Sequence, residues 1–251
     1  MASEPSPPAP LSSGERGRKA AAFRVGGLTP LTTVEWDGKL AAVVFAQGCP
    51  WRCRYCHNTS LVPPNEGALI PWEEVLLFLQ DRVGLVDGIV FSGGEPTAQA
   101  ALHDAVCAAR ELGYATAVHT NGGHPRVLSG LLDGGLLDYV AMDIKAPFSR
   151  YHEVTRSRGS GRKAQESIAA IIRSGVDYEF RTTYHSDLLS DEEVLGIAQD
   201  LKWRGAETYF IQRYRWEGTG DMPLALTPSR DLPARLLKKL QGMFQRFGVR
   251  G

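Results

Sequence analysis

From Phe23 onward the chain switches repeatedly between short apolar runs and stretches of helical periodicity, and nothing else in it constrains the fold as tightly. Residues 40–46, 88–91, 114–118, 139–142, 178–184 and 207–211 read as strands. Residues 72–82, 99–111, 125–132, 163–174 and 191–202 read as the helices between them. Such alternation demands parallel strands joined by right-handed crossovers. Six strand–helix units in 251 residues predict an α/β fold, an incomplete (β/α)6 TIM-type barrel, since a full eight-fold barrel needs more chain. An open doubly wound sheet satisfies the same alternation. An amphipathic stretch, 228–247, is expected to close the chain as a C-terminal helix.

The domain expectation is simple. Residues 1–19, rich in Pro, Ser and Ala, are expected to be a disordered tail, and 20–251 to form one domain without internal repeats. One connection, 146–161, breaks the rhythm with Arg, Ser and Gly, and loops of that kind serve as lids or partner surfaces or stay disordered. Basic and acidic residues balance at 28 each, which speaks against bulk attraction to nucleic acid or an anionic membrane. No apolar run is long enough to span a bilayer, and the first residues lack the apolar core of an export signal, so a cytoplasmic protein is expected.

Three of the four cysteines, Cys49, Cys53 and Cys56, fall within eight positions directly after the first strand. A disulfide framework spreads its cysteines, so clustering in a chain without an export signal points to metal. The spacing C-x3-C-x2-C lets three thiolates face one small cluster, and the missing fourth cysteine leaves one iron open. The alternative is a zinc knuckle completed by His57, although His57 directly follows Cys56 and both would strain to reach one tetrahedral ion. Cys107 lies in a helical stretch and reads as a small buried residue.

In a parallel barrel the site lies at the carboxyl ends of the strands, so further functional residues are expected just after each apolar run. Ser92, Gly93, Gly94 and Glu95 follow the second run, where glycines allow close backbone approach and a carboxylate can meet an ammonium group. A plain strand-to-helix turn with an acidic first turn explains the same residues. His119, Thr120, Asn121 and Gly122 follow the third run, and Asn-Gly is also a common turn. Asp143 and Lys145 follow the fourth; two apart, they share a face, as a structural ion pair or as ligand contacts. On the fifth strand Glu179, Arg181, Thr183 and His185 share one face, which would suit a barrel interior holding a polar ligand. There Arg181 offers a fork for a carboxylate, and Gln212 and Arg213 end the sixth strand.

C-x3-C-x-aromatic-C after the first strand, with Tyr55 as the aromatic residue, resembles the signature of radical S-adenosylmethionine (SAM) enzymes. The resemblance extends over nearly the whole chain after the tail. It implies that Cys49, Cys53 and Cys56 hold a [4Fe-4S] cluster and that SAM chelates its open iron. One electron then cleaves SAM to methionine and a 5′-deoxyadenosyl radical, which abstracts hydrogen from an unreactive C–H bond. It further implies that Tyr55 lies near the adenine and that Gly93, Gly94 and Glu95 grip the SAM amino group. Asp143 and Lys145 would meet its ribose and carboxylate. Many glycyl-radical activating enzymes carry Asp where this chain has His119. That Asp helps some relatives bind a cation, so the resemblance does not carry a cation site over. The segments Lys39–Asn58, Ser92–Thr97, Asp138–Pro147 and Tyr178–Thr183 look most like the activating proteins of anaerobic ribonucleoside-triphosphate reductase. That implies a glycyl-radical enzyme as partner and a flavodoxin or ferredoxin-type electron donor; the charge balance and the lack of a long apolar run lead us to expect no nucleic acid and no membrane. Glu35-Trp-Asp-Gly38 departs from the Asp-aromatic-Pro-Gly common in relatives.

With Cys107 alone outside the triad there is no set of cysteines for a second cluster. Two other readings stay open: a radical SAM enzyme acting on a small molecule, as in the ring contraction of a pterin, and a non-catalytic Fe–S or zinc protein. The first calls for a pocket closed by the protein itself. The second predicts no SAM binding and no need for Glu95, Asp143 or Arg181.

Overall fold

The computed structural model describes residues 22–65, 69–217, 219, 224 and 226–251. Its centre is one eight-stranded sheet in sequential order. Strand β1 (Val25–Thr32) runs antiparallel to β2 (Ala41–Ala46). From β2 onward every neighbour is parallel: β3 (Gly88–Gly93), β4 (Ala115–Thr120), β5 (Tyr139–Asp143), β6 (Asp177–Tyr184), β7 (Thr208–Arg213) and β8 (Arg246–Arg250). Helices α1 (Trp72–Gln80), α2 (Leu102–Glu111), α3 (Pro125–Asp133), α5 (Ser160–Ser174) and α6 (Asp191–Trp203) connect the strands, preceded in one crossover by a short α4 (Tyr151–Thr155). Helix α7 (Ala234–Gln241) leads into β8. Strands β1 and β8 are not paired, so the barrel is incomplete.

All six expected strands are present, and two were missed. Strand β1 carries Gly-Gly and a proline, and β8 reads Arg-Phe-Gly-Val-Arg, so neither shows a run of apolar residues. As edge strands they need one partner and one buried face only. The expected C-terminal helix is correspondingly shorter: Gly242 ends it, and 246–250 pair with β7, Ile211 opposite Val249. Residues 146–161 are not one loop. They hold α4 and the start of α5, and Tyr151, Thr155 and Ser160 are fully buried. Cys107 is half-buried on α2 rather than in the core. The expected tail, 1–19, lies outside the described residues.

The alternation of side chains divides the core in two. Ala42, Val44 and Ala46 of β2, with Val118, Val140, Met142 and Phe180, face the helices. Ala41, Val43, Val90, Ala117, Tyr139 and Ala141 face the lumen. Several of these are small, and Trp36, from the loop between β1 and β2, fills the space they leave. Its ring stacks on Tyr139 with centroids 5.5 Å apart, and a Cβ on Gly88 would lie 2.8 Å from it. The lumen is therefore plugged at its amino-terminal end.

Candidate active site

Above that plug the inward faces of β4, β5 and β6 turn polar, while β2 keeps Phe45 there. On β4 the order is Ala115, Ala117, His119; on β5 it is Tyr139, Ala141, Asp143; on β6 Arg181 and Thr183 follow Glu179. A cavity of about 850 Å³ opens there, lined by Cys49, Cys53, Cys56, Tyr55, Ser92, Gly93, Gly94, Thr120, Asn121, Asp143, Lys145 and Arg181. Of the thirteen site residues expected from sequence, only Glu95 is missing from that wall.

The cysteine loop is tied down on both sides. Gly48, at φ 101°, donates its N–H to the Leu61 carbonyl at 2.7 Å, and Cys49 N donates to Val62 O at 3.0 Å. Arg52 N donates to Thr155 O at 3.0 Å, and buried Trp51 packs edge-on against Tyr151 with centroids 6.0 Å apart. Helix α4 thus buttresses the loop, which corrects the reading of 146–161 as a lid or a disordered segment. All three thiols are free. Burial, followed by the charge of Glu95, pushes the Cys49 thiol up to about 12, and burial also raises Cys53. A bound metal would displace those protons. Among the described residues no three His, Cys, Asp or Glu groups could hold a single metal ion, whereas a cluster takes one thiolate per iron. His57 is turned away from a zinc role, its Nε2 against the Arg215 carbonyl.

The remaining wall is amphoteric. Lys145 Nζ lies 3.2 Å from Asp143 Oδ2, and Arg181 Nε 3.2 Å from Asp143 Oδ1, so the ion pair expected for Asp143 and Lys145 is formed inside the cavity. Burial alone would raise the Asp143 carboxyl, but Lys145 and Arg181 outweigh it and hold it at about 2. Lys145 Nζ also stands 5.3 Å from the centre of the Tyr55 ring, and the buried Tyr55 hydroxyl has no hydrogen-bond partner among the described residues. Asn121 Nδ2 donates to Cys49 Sγ at 3.7 Å. Soft thiolates beside two cations, one carboxylate and an aromatic face suit an iron–sulfur cluster together with a ligand bearing carboxylate, ammonium and a flat ring.

The glycines at 93 and 94 line the cavity and also serve the fold: a Cβ on Gly94 would lie 2.5 Å from Gly48 O, and one on Gly93, at φ 108°, 2.5 Å from Ala46 N. Glu95 is fully buried behind the wall. It accepts from Thr97 N, the Thr97 hydroxyl, Thr120 Oγ1 at 2.7 Å and Asn121 N at 2.7 Å. It therefore reaches the cavity through Thr120 and Asn121. Glu35 was not anticipated. Its loop follows β1, where an edge strand hides the topology, and its carbonyl lies 2.9 Å from His119 Nε2. Burial and then Arg181 push His119 down to about 3, although the Glu35 carboxylate stands 3.4 Å from Nδ1; in the neutral ring Nε2 donates to the Glu35 carbonyl. His185, expected on the cavity face, instead bonds Thr227 O at 2.9 Å.

The model of the radical SAM superfamily matches residues 43–201. A Methanocaldococcus jannaschii protein named as a glycyl-radical enzyme activating enzyme is 33% identical over 195 residues, covering 76% of this chain and 79% of that one. The pyruvate formate-lyase 1-activating enzyme of Escherichia coli K12 is 31% identical over 129 residues, 48% of this chain and 51% of its own. The structure of Streptococcus suis SuiB bound to S-adenosylmethionine superposes with a TM-score of 0.61 at 16% identity, covering 82% of this chain. The chain spans about half of that protein, 48% of its length, and the likeness speaks for the fold alone.

Proposed function

Because the chain belongs to the radical SAM superfamily, enzymes that use a [4Fe-4S] cluster and S-adenosylmethionine, we propose that Cys49, Cys53 and Cys56 ligate its cluster and that it activates a glycyl-radical enzyme. Bound there, cluster and SAM would together supply one-electron reductive cleavage of the sulfonium C–S bond. The residues of this chain orient that chemistry. Arg181 and Lys145 offer cations to the methionyl carboxylate, Asp143 sits between them to meet hydroxyls, and Tyr55 offers its ring to the adenine. The backbone of Gly93 and Gly94 faces the same space, with Thr120 and Asn121 held in place by Glu95. Trp36 closes the lumen below and excludes water from that end.

The observation that carries this reading is the convergence of the three thiols with polar side chains from five strands, β3 to β7, in one cavity. The radical would pass to a glycine of a larger partner. The segments Lys39–Asn58, Ser92–Thr97, Asp138–Pro147 and Tyr178–Thr183 favour anaerobic ribonucleoside-triphosphate reductase as that partner. Anaerobic reconstitution tests both halves. Reduced protein with SAM should release 5′-deoxyadenosine, and Cys53→Ala should abolish this together with the cluster's visible absorbance. With the partner present, electron paramagnetic resonance should show a glycyl doublet. Wild-type protein that carries a cluster yet releases no 5′-deoxyadenosine refutes the enzyme assignment, and absence of the doublet with every candidate partner refutes the glycyl one.

A further inference from the structure

Positive charge is concentrated on the outer side of the cysteine loop, although the whole chain balances 28 basic against 28 acidic residues. Residues 150–163, which span α4 and the start of α5, hold four arginines and a lysine against the single carboxylate of Glu153. Glu153 is itself paired with Arg150, and Glu166, further along α5, with Arg162. Arg156 and Arg158 are exposed, and their guanidinium groups have no hydrogen-bond or ion-pair partner among the described residues. Arg52 of the cysteine loop lies beside them, since its backbone N–H donates to Thr155 O at 3.0 Å. Its exposed guanidinium turns back onto the Cys49 carbonyl at 2.6 Å and the Trp51 carbonyl at 3.1 Å, so no carboxylate neutralises it.

Backbone geometry sets Arg156 apart. It caps the carboxyl end of α4 at φ 52° and ψ 32°, and among the described residues no other non-glycine has a positive φ. A glycine takes that conformation freely, whereas an arginine takes it at a cost in stability. The position thus gives up some stability and holds an exposed cation beside the cysteine loop. Like charges gathered on Arg52, Arg156 and Arg158 repel one another until a surface of opposite sign covers them. The complementary partner is acidic.

What lies behind the patch decides which acidic partner fits. Trp51 lines the main cavity and packs edge-on against Tyr151, and both rings are buried. Together they form a wall between the cavity and α4. No peptide segment passes such a wall, so a radical-accepting chain has to enter at the strand ends beside Glu35, Gln212 and Arg215. An electron needs no opening, but it does need a supplier. Only Cys107 lies outside the triad, so the chain has no cysteines for a second cluster of its own. We propose that Arg52, Arg156 and Arg158 form the docking surface for a small acidic protein that carries single electrons. Docked there, the carrier is oxidised by one electron and the cluster behind the loop is reduced by one, with no bond made or broken. This rests on the proposed ligation of the cluster by Cys49, Cys53 and Cys56, and adds the face through which its electron enters.

The test uses the reconstituted holoprotein under argon, with a purified, fluorophore-labelled flavodoxin as the acidic carrier. Anisotropy at low salt should show the affinity falling roughly tenfold or more when Arg156→Gly and Arg158→Gln are combined. Glycine suits the backbone at 156, so this variant should unfold in urea no earlier than the wild type. Raising salt from about 50 mM to about 300 mM should remove most of the difference, because exposed charges are screened. In stopped flow, subsaturating reduced flavodoxin should reduce the variant's cluster more slowly by a similar factor, while reduction by dithionite changes less than twofold. No binding by the wild type, or equal affinities of wild type and variant at low salt, would overturn the docking surface. So would a variant that keeps its affinity for flavodoxin and loses it for the anaerobic reductase, since the face would then belong to the radical acceptor. The flavodoxin titration needs no SAM, so the two readings fail separately. Dithionite-reduced wild type that releases no 5′-deoxyadenosine from SAM counts against the radical SAM chemistry, whatever the titration gives.

Discussion

Glu95 accepts four hydrogen bonds inside the fold, from Thr97, Thr120 and Asn121, so both of its oxygens are used as acceptors. Glu95→Gln keeps the shape and turns one oxygen into a donor facing other donors. An unsatisfied buried group of this kind costs about 1–3 kcal/mol, and hydrogen bonds to a charged acceptor are worth more than neutral ones. We expect about 2–4 kcal/mol lost in urea unfolding, with the cavity loosened at Thr120 and Asn121; a loss under 0.5 kcal/mol would contradict the network. Sequence identified this residue through its motif, but its contacts with Thr97, Thr120 and Asn121 were not legible there, because a motif does not say which way a carboxylate turns. His119 makes the second residue-scale prediction. Its folded pKa, about 3, lies below the usual value near 6.5, so between those values the unfolded chain binds a proton that the folded one does not. Its contribution is therefore complete above pH 6.5 and declines as pH falls toward 3. By pH 5 the apo protein should lose about 2 kcal/mol relative to pH 7 from this group. His119→Gln, which keeps a neutral donor, should flatten that part of the curve; parallel wild-type and variant curves would rule it out.

The strands were legible wherever both faces are buried, since a run of Ala, Val, Ile and Phe needs no context. Strands β1 and β8 bury less, carry Gly, Pro or Arg, and signal nothing by hydrophobicity. The polar strand ends were legible for a stronger reason. In a barrel the lumen face must pass from core to site along each strand, and Ala-Val-His-Thr or Ala-Met-Asp displays that passage directly. The loop Glu35-Trp-Asp-Gly38 was noticed but could not be interpreted, because its meaning lies in what it reaches across the fold. Trp36 plugs the lumen against Tyr139 and Gly88. Trp36→Ala should cost about 3–5 kcal/mol, as truncation of a large buried side chain does. It should also open the cavity floor, read as faster exchange of the β4 and β5 amides. At the other end of the strands Gly94 abuts Gly48 O, so Gly94→Ala must displace the cysteine loop. The expected result is a folded protein that reconstitutes less than half a cluster per chain; full reconstitution would show the loop to be more compliant than its backbone contacts imply.

Taken as one molecule, the sheet has two unpaired edges, and side chains rather than hydrogen-bonded strands span the gap. Asp37, beside the Trp36 plug, receives Arg246 at 3.1 Å and Arg250 at 2.9 Å, both from β8. Arg250 in turn carries the nearly buried Glu179 at 2.7 Å. The two links differ in kind. Asp37 is about half exposed, so its pairs are screened by salt and worth about 1 kcal/mol or less each. Glu179 has only 2% of its side chain accessible, and removal of Arg250 would leave it with Arg181 at 3.8 Å as its remaining ion partner. Breaking a buried pair from one side costs about 3–5 kcal/mol, and retained Arg181 places Arg250→Ala toward the lower figure. Asp37→Asn should change global stability by less than about 1 kcal/mol and still release β8 locally, raising its amide exchange several-fold. Salt at 1 M should reproduce that release in the wild type and add little in Asp37→Asn. If β8 exchange is the same in both proteins at low salt, the gap is held by strand pairing with β7 alone. If it differs, the edge that carries Arg250 is positioned by a screened contact to the first hairpin, and closure of the gap depends on ionic strength.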